Sequence, residues 1–167
     1  MQRVKGLFIM SFGRKGTLKR AGIILAFAVV FLSLITAGTV LINKKRDSMV
    51  IDGRELDIRV RDESDAIRIA EFFYKDKAPA GIITDEVTIP KSFNDMYEKY
   101  NELQKPLGTD LSAYKGFECT RYSLHYPEYE GCGRTMTLLV FDGRLIGGDM
   151  SDDLFDGEMV SLYNIPS

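Results

Sequence analysis

The 167-residue chain has no tryptophan, one histidine and two cysteines, and its first 46 residues carry no acidic side chain. With His125 alone, any site built from two or more histidines is excluded. Cys119, Cys132 and His125 show no spacing of the kind a metal centre with three or four ligands needs. No G-x-S-x-G or comparable context surrounds a nucleophile, so His125 has no triad to serve and reads as a surface histidine of a strand. There is no internal repeat and no low-complexity tract. The length suits one globular domain and excludes a multidomain enzyme. No catalytic, cofactor-binding or metal-ligating residue is expected.

The missing acids divide the charge. The formal net charge is −2, but residues 1–46 sum to +9 and residues 47–167 to −11. Such asymmetry is a topological signal, and an acidic folded part argues against a nucleic-acid partner.

Between the basic flanks, residues 21–42 read AGIILAFAVVFLSLITAGTVLI, with no charge at all. As a helix the segment would be about 33 Å long, enough to span a bilayer. Its polar members Ser33, Thr36 and Thr39 can bond back to a carbonyl of the preceding turn. Six Lys or Arg precede it and three follow, so the expected topology is N-terminus in and C-terminal part out. The apolar run exceeds a cleaved signal's core, and Ile35 stands where a small residue would be wanted. An uncleaved signal-anchor is therefore expected. The resulting division is a basic cytoplasmic tail over 1–20, a transmembrane helix over 21–42, a tether over 43–53 and an extracytoplasmic domain over 54–167 of a single-pass cell-membrane protein.

In the outer part, Glu55–Val60 alternates as a half-buried strand after a turn at Asp52-Gly53. Asp62 or Ser64 can cap a helix reaching about Lys75, with Ala66, Ile67, Ala70, Phe73 and Tyr74 as its apolar stripe. Ile82–Ile89 reads as a strand. Ser92, three residues before Asp95, points to a second helix whose stripe is Phe93, Met96, Tyr97, Tyr100 and Leu103, ended by Pro106 and Gly108. Three strands follow, Phe117–Tyr126, Arg134–Phe141 and Arg144–Gly147. Asp142-Gly143 is a hairpin signal, because a type I′ turn needs positive φ at both central residues. Met136–Phe141 is apolar almost without alternation, as a strand covered on both faces would be. The expected fold is α+β: an antiparallel sheet of about five strands with two helices packed on it.

The order of elements and several strings, Ile89-Pro90, Phe93-Asn94, Tyr100-Asn101-Glu102-Leu103-Gln104, Asp110-Leu111, Tyr114-Lys115-Gly116, Leu138-Leu139-Val140 and Gly143-Arg144 through Ile146-Gly147-Gly148-Asp149, resemble one family over about residues 65–163. It is the domain of unknown function 4830 family, small and often membrane-anchored proteins of Gram-positive bacteria. Where that family has a Gly-Trp pair after its first helix, this chain reads Tyr74-Lys75-Asp76. The resemblance implies an address and a fold, and no catalytic residue.

The remaining features are weighed by their chemistry. Cys119 and Cys132 would be out of register across a hairpin centred near Pro127, Gly131 and Gly133, so two thiols are expected rather than a disulfide. Gly147-Gly148-Asp149-Met150 matches the first residues of a diguanylate cyclase signature, but in a much smaller domain without the acids that should follow, and reads as a glycine-rich strand end. Asp149, Asp152, Asp153, Asp156 and Glu158 form an acidic cluster over 149–158 that fails as an EF-hand loop and defaults to a solvated turn. Tyr122 and Tyr126 flank Leu124 on one strand face, with Tyr129 beyond; the core face of a strand is preferred over a peptide or glycan surface. The expected function is a non-catalytic module that binds a membrane protein or a cell-wall component. The alternative is an envelope hydrolase using a pair of acids.

Overall fold

The computed structural model describes residues 47–75, 77–129, 132–154 and 157–165, together with Val29, Val30, Leu32 and Ser33. The contacts divide the chain into two units, Met1–Lys44 and Lys45–Ser167. The tail over 1–20 and nearly all of the span expected over 21–42 lie outside the described residues. The four described positions of that span are helical, and the Ser33 hydroxyl donates to the Val30 carbonyl at 2.7 Å. Among the described residues no helix is long and apolar enough to cross a membrane.

The second unit is α+β. Strands β1 (Ser48–Ile51) and β2 (Arg54–Asp57) form a separate antiparallel hairpin. Helix α1 (Glu63–Phe73) follows, then β3 (Gly81–Thr88), helix α2 (Asp95–Gln104), β4 (Glu118–Tyr129), β5 (Cys132–Phe141), β6 (Arg144–Asp152) and β7 (Met159–Ser161). The five strands β3 to β7 pair antiparallel in chain order.

Both Asp-Gly pairs turn as their chemistry requires. Asp52 and Gly53 have φ of 48° and 75°, Asp142 and Gly143 of 49° and 68°, the left-handed region a type I′ hairpin demands at both positions. The Asp52-Gly53 turn joins β1 to β2. Ser48–Ile51 is therefore a strand, and the tether expected over 43–53 stops short of it.

The sheet has five strands, but not the expected five. The alternating stretch Glu55–Val60 leaves the hairpin after Asp57, and its second half runs beside the start of β6. The Val60 amide donates to the Gly143 carbonyl at 2.9 Å, and the Leu145 amide to the Ile58 carbonyl at 2.8 Å. The fifth place goes to β7, which has only three residues and no pattern to announce it. Strand β6 also continues through Gly147 and Gly148 to Asp152, beyond the expected end at Gly147.

Strand β5 is covered on both faces, as its unbroken apolar run predicts. On one face Met136, Leu138 and Val140 join Tyr122, Leu124 and Tyr126 of β4 beneath Ala66, Ile69 and Ala70 of α1. The Tyr122–Tyr126 stripe is therefore core, and the Tyr126 ring meets Tyr74 edge-on at 5.1 Å. On the other face Leu139 packs with Cys119, Ile146, Ile89 and Leu111. This side carries α2 and the two short 3-10 turns after it, Lys105–Leu107 and Leu111–Tyr114.

Each helix begins on a side-chain cap. Asp62 accepts from the Asp65 amide, and Asn94, rather than the expected Ser92, accepts from the Tyr97 amide at 2.9 Å. Phe93 and Tyr100, but not the rest of the expected apolar stripe, pack against the core beneath α2. Its fully buried side chains are Asn101 and Gln104, while Met96 is 74% exposed.

Polar anchoring accounts for this. Asn101 accepts from the Leu111 amide at 2.7 Å and donates to Asp110 at 2.9 Å, holding the turn behind the helix. Gln104, with no exposed surface, accepts from the Gly148 amide of β6 at 2.8 Å and donates to the Tyr100 carbonyl at 3.1 Å.

The two glycines of β6 allow close packing on different sides, Gly147 toward Gln104 and Gly148 toward β5 and Leu162. A Cβ on Gly147 would stand 2.9 Å from the Gln104 carbonyl oxygen, and one on Gly148 would collide with the Thr137 carbonyl of β5. Gly148→Ala is expected to lower unfolding free energy by about 1–3 kcal/mol in denaturant titration, since backbone must shift to admit the methyl. An unchanged midpoint would contradict the packing at this point.

Candidate functional site

Anchoring α2 by its polar residues leaves a groove between its apolar stripe and the sheet, with a volume of about 600 Å³. The helix contributes Met96, Tyr97, Tyr100 and Leu103, with Lys99 at the lip. Val87 of β3, Leu139 of β5 and Met159 of β7 add apolar surface. Arg121 of β4, Thr137 of β5, and Asp149 and Ser151 of β6 supply the polar groups.

Asp149 is the unusual member. It is 3% exposed, and the Tyr100 hydroxyl donates to its Oδ1 at 2.8 Å. Its Oδ2 accepts no hydrogen bond among the described residues and is not fully closed off from the groove. Burial raises its pKa from 3.8 to about 6, opposed by the Tyr100 hydrogen bond and by the positive charge of Arg121. Burial also lifts Tyr100 well above the usual phenol value, and the neighbouring Asp149 charge adds to this. Arg121 is already engaged by Asp85 of β3, with Nε 2.9 Å from Oδ1, and that pairing holds the Asp85 carboxyl below its usual range. The groove therefore holds a largely desolvated carboxyl group and a cation whose charge is mostly answered elsewhere.

The other acids of the 149–158 cluster do not join Asp149. Asp152 pairs with Arg134 at 2.8 Å. Asp153 accepts from the Thr135 hydroxyl at 2.8 Å and lies 3.2 Å from His125 Nδ1. Glu158 is exposed, and Asp156 lies outside the described residues. Alternation along β6 puts Asp152 on the opposite face from Asp149, and Asp153 lies beyond the end of the strand, about 13 Å farther along the chain at about 3.3 Å per residue. Among the described residues no three His, Cys, Asp or Glu side chains converge on a point where a metal could sit.

His125 is exposed on β4, as expected of a surface strand histidine. The cysteines are both free. Cys119 is buried and faces Val87, whereas Cys132 pairs with Tyr129 at the far end of the long hairpin. The level of Cys119 on β5 is that of Phe141, roughly 30 Å from Cys132 at about 3.3 Å per residue. No disulfide can close that distance.

The residues that make this groove were visible only as fragments in the sequence. Tyr97, Tyr100 and Leu103 appear there as a core stripe and Asp149 as one acid of a turn. No family model matches the chain, and no curated protein or solved structure shows a match to it.

The pKa of Asp149 has a measurable consequence. The folded chain holds this proton more tightly than the unfolded chain does. The group therefore costs no stability below the unfolded value of 3.8, costs progressively more as pH rises, and reaches its full cost above about 6. The full cost is about 3 kcal/mol. Asp149→Asn should remove it, so the stability of the variant relative to the parent should improve by up to that amount between about pH 3 and pH 8. Parallel stability curves for the two proteins would contradict the buried carboxyl.

Proposed function

We propose that this chain is a single-pass membrane-anchored protein whose outer α+β domain binds a partner protein or cell-wall component without catalysis, through the groove under α2. The observation that carries the reading is the placement of the α2 stripe. A helix normally buries such a face in its own core. Here Met96 is left 74% exposed and Met159 46% exposed at the same groove, which is apolar surface open to another molecule.

The hydrolase reading asks for two carboxyl groups in one cleft. Asp149 has the raised pKa of a general acid, but it is the one acid lining this groove among the described residues. The nearby Asp85 is committed to Arg121. Binding is therefore the better supported of the two. The anchor and its orientation rest on the uncharged run 21–42 and its flanking charges, and the resemblance to membrane-anchored proteins agrees with them.

Two experiments test this. A photo-crosslinking side chain placed at the exposed Met96 in living cells should capture a discrete species. The same group at Glu71, exposed on α1 over the opposite face, should not. Equal patterns from both positions would sink the assignment of the groove. Protease added to intact protoplasts should degrade residues 47–167, and their complete protection would overturn the topology.

A further inference from the structure

Resting on the reading of the groove as a binding surface, we propose that its ligand carries a primary ammonium group on an apolar chain, with the ammonium on Asp149 and the apolar part between Met96 and Met159.

The argument starts from what Asp149 lacks. The carboxyl group is 3% exposed, yet one of its oxygens has only the Tyr100 hydroxyl and the other has no donor among the described residues. That second oxygen is not fully enclosed and so opens to the groove, and a carboxylate so nearly buried is costly unless water, a cation or further donors reach it there. The chain's own cations do not satisfy it. Arg121 gives its guanidinium to Asp85, and Lys99 is exposed at the lip of the groove. An ammonium entering the groove would supply a charge-assisted donor to the vacant oxygen.

The surroundings favour the same chemistry. Tyr97 and Tyr100 present adjacent rings, 6.0 Å apart and edge-to-face, and aromatic faces attract cations. Met96 and Met159 are unbranched and adapt to an irregular apolar chain. An anionic ligand would be drawn to Lys99 and Arg121, but it would have to settle beside Asp149 and displace Asp85 from Arg121. The groups that act on Asp149 are Tyr100 from α2 and Arg121 of β4, itself paired with Asp85 of β3; Tyr97 and Lys99 of α2 line the same groove, and Cys119 of β4 and Tyr97 bear on Tyr100. Of these, Asp149 is the one whose pKa is brought to about 6, so ligand affinity should follow its ionisation.

The test titrates n-butylammonium, n-butanol and butyrate into the full chain in detergent, read by the methyl signals of Met96 and Met159 under methionine labelling. Butylammonium should shift both signals saturably and bind about tenfold or more tightly than butanol near pH 7.5, with butyrate weakest. Near pH 5 its affinity should fall about tenfold, because the carboxyl is then mostly protonated. Asp149→Asn should reduce butylammonium to the level of butanol, whereas Glu71→Gln, which removes an exposed carboxylate outside the groove, should keep the preference. Equal binding of butylammonium and butanol would overturn the ammonium assignment while leaving the groove as a binding surface. Loss of the Met96 and Met159 response to every probe would overturn it too, and the binding reading would then be decided by the crosslinking at Met96. Should Asp149→Asn fail to fold, the pH dependence of the parent chain decides, and a flat profile overturns the proposal.

Discussion

The carboxamide of Gln104 is the contact on which the rest of the α2 side depends. It is completely buried, and its two ends serve different partners: the backbone of β6 at Gly148 and the carbonyl of Tyr100 within its own helix. A buried amide must be satisfied at both ends, which leaves the last turn of α2 little freedom of position. It also completes the outer edge of β6. That edge is bonded at Leu145 by the backbone of Ile58, at Gly148 by Gln104, and from Asp149 to Ser151 by β7. Three unrelated partners together supply what one neighbouring strand would otherwise provide.

From this one anchor the groove follows. A helix seated by hydrophobic contact would turn its widest apolar stripe to the sheet. Anchored by Asn101 and Gln104, α2 turns these polar residues inward, packs Tyr100 against the core and leaves Met96, Tyr97 and Leu103 along the cleft. Gly147 permits the approach because a side chain there would meet Gln104, while Gly148 supplies the amide that Gln104 accepts from and itself packs closely on β5. Asp149 comes next in the chain, and the same approach places it beneath Tyr100, out of water. The string Gly147-Gly148-Asp149 is thus one device. Gly147 admits the helix, Gly148 bonds to it through its amide, and Asp149 is buried beneath it.

Much of the fold could be read from local chemistry. The Asp52-Gly53 and Asp142-Gly143 turns, the capped helix after Asp62, the doubly covered run Met136–Phe141 and the core face of Tyr122 and Tyr126 all follow from period, turn chemistry and composition. The departures share a cause. Ile58–Val60 finds its partner in the β5–β6 turn more than eighty residues away, and β7 is too short to have a pattern. Asn101 and Gln104 look like solvent-facing residues in the sequence, because nothing local reveals that a distant backbone amide needs them. The site was less legible than the fold for the same reason. Asp149 sits among acids that sequence spacing groups together and that an extended strand separates, Asp152 by facing the other way and Asp153 by distance.

By itself, the sequence determined the properties that depend on neighbours along the chain. These are the uncharged run 21–42 between basic flanks, the acidic character of everything after it, the α+β order of elements and the turns that need positive φ. Tertiary structure alone decided which face of α2 is buried, which strands share the sheet, and which of the many acids is taken out of water. Those outcomes depend on hydrogen bonds between groups far apart in the chain. The net worth of such a bond is set by the burial around it, and burial exists only once the sheet and the helix have met.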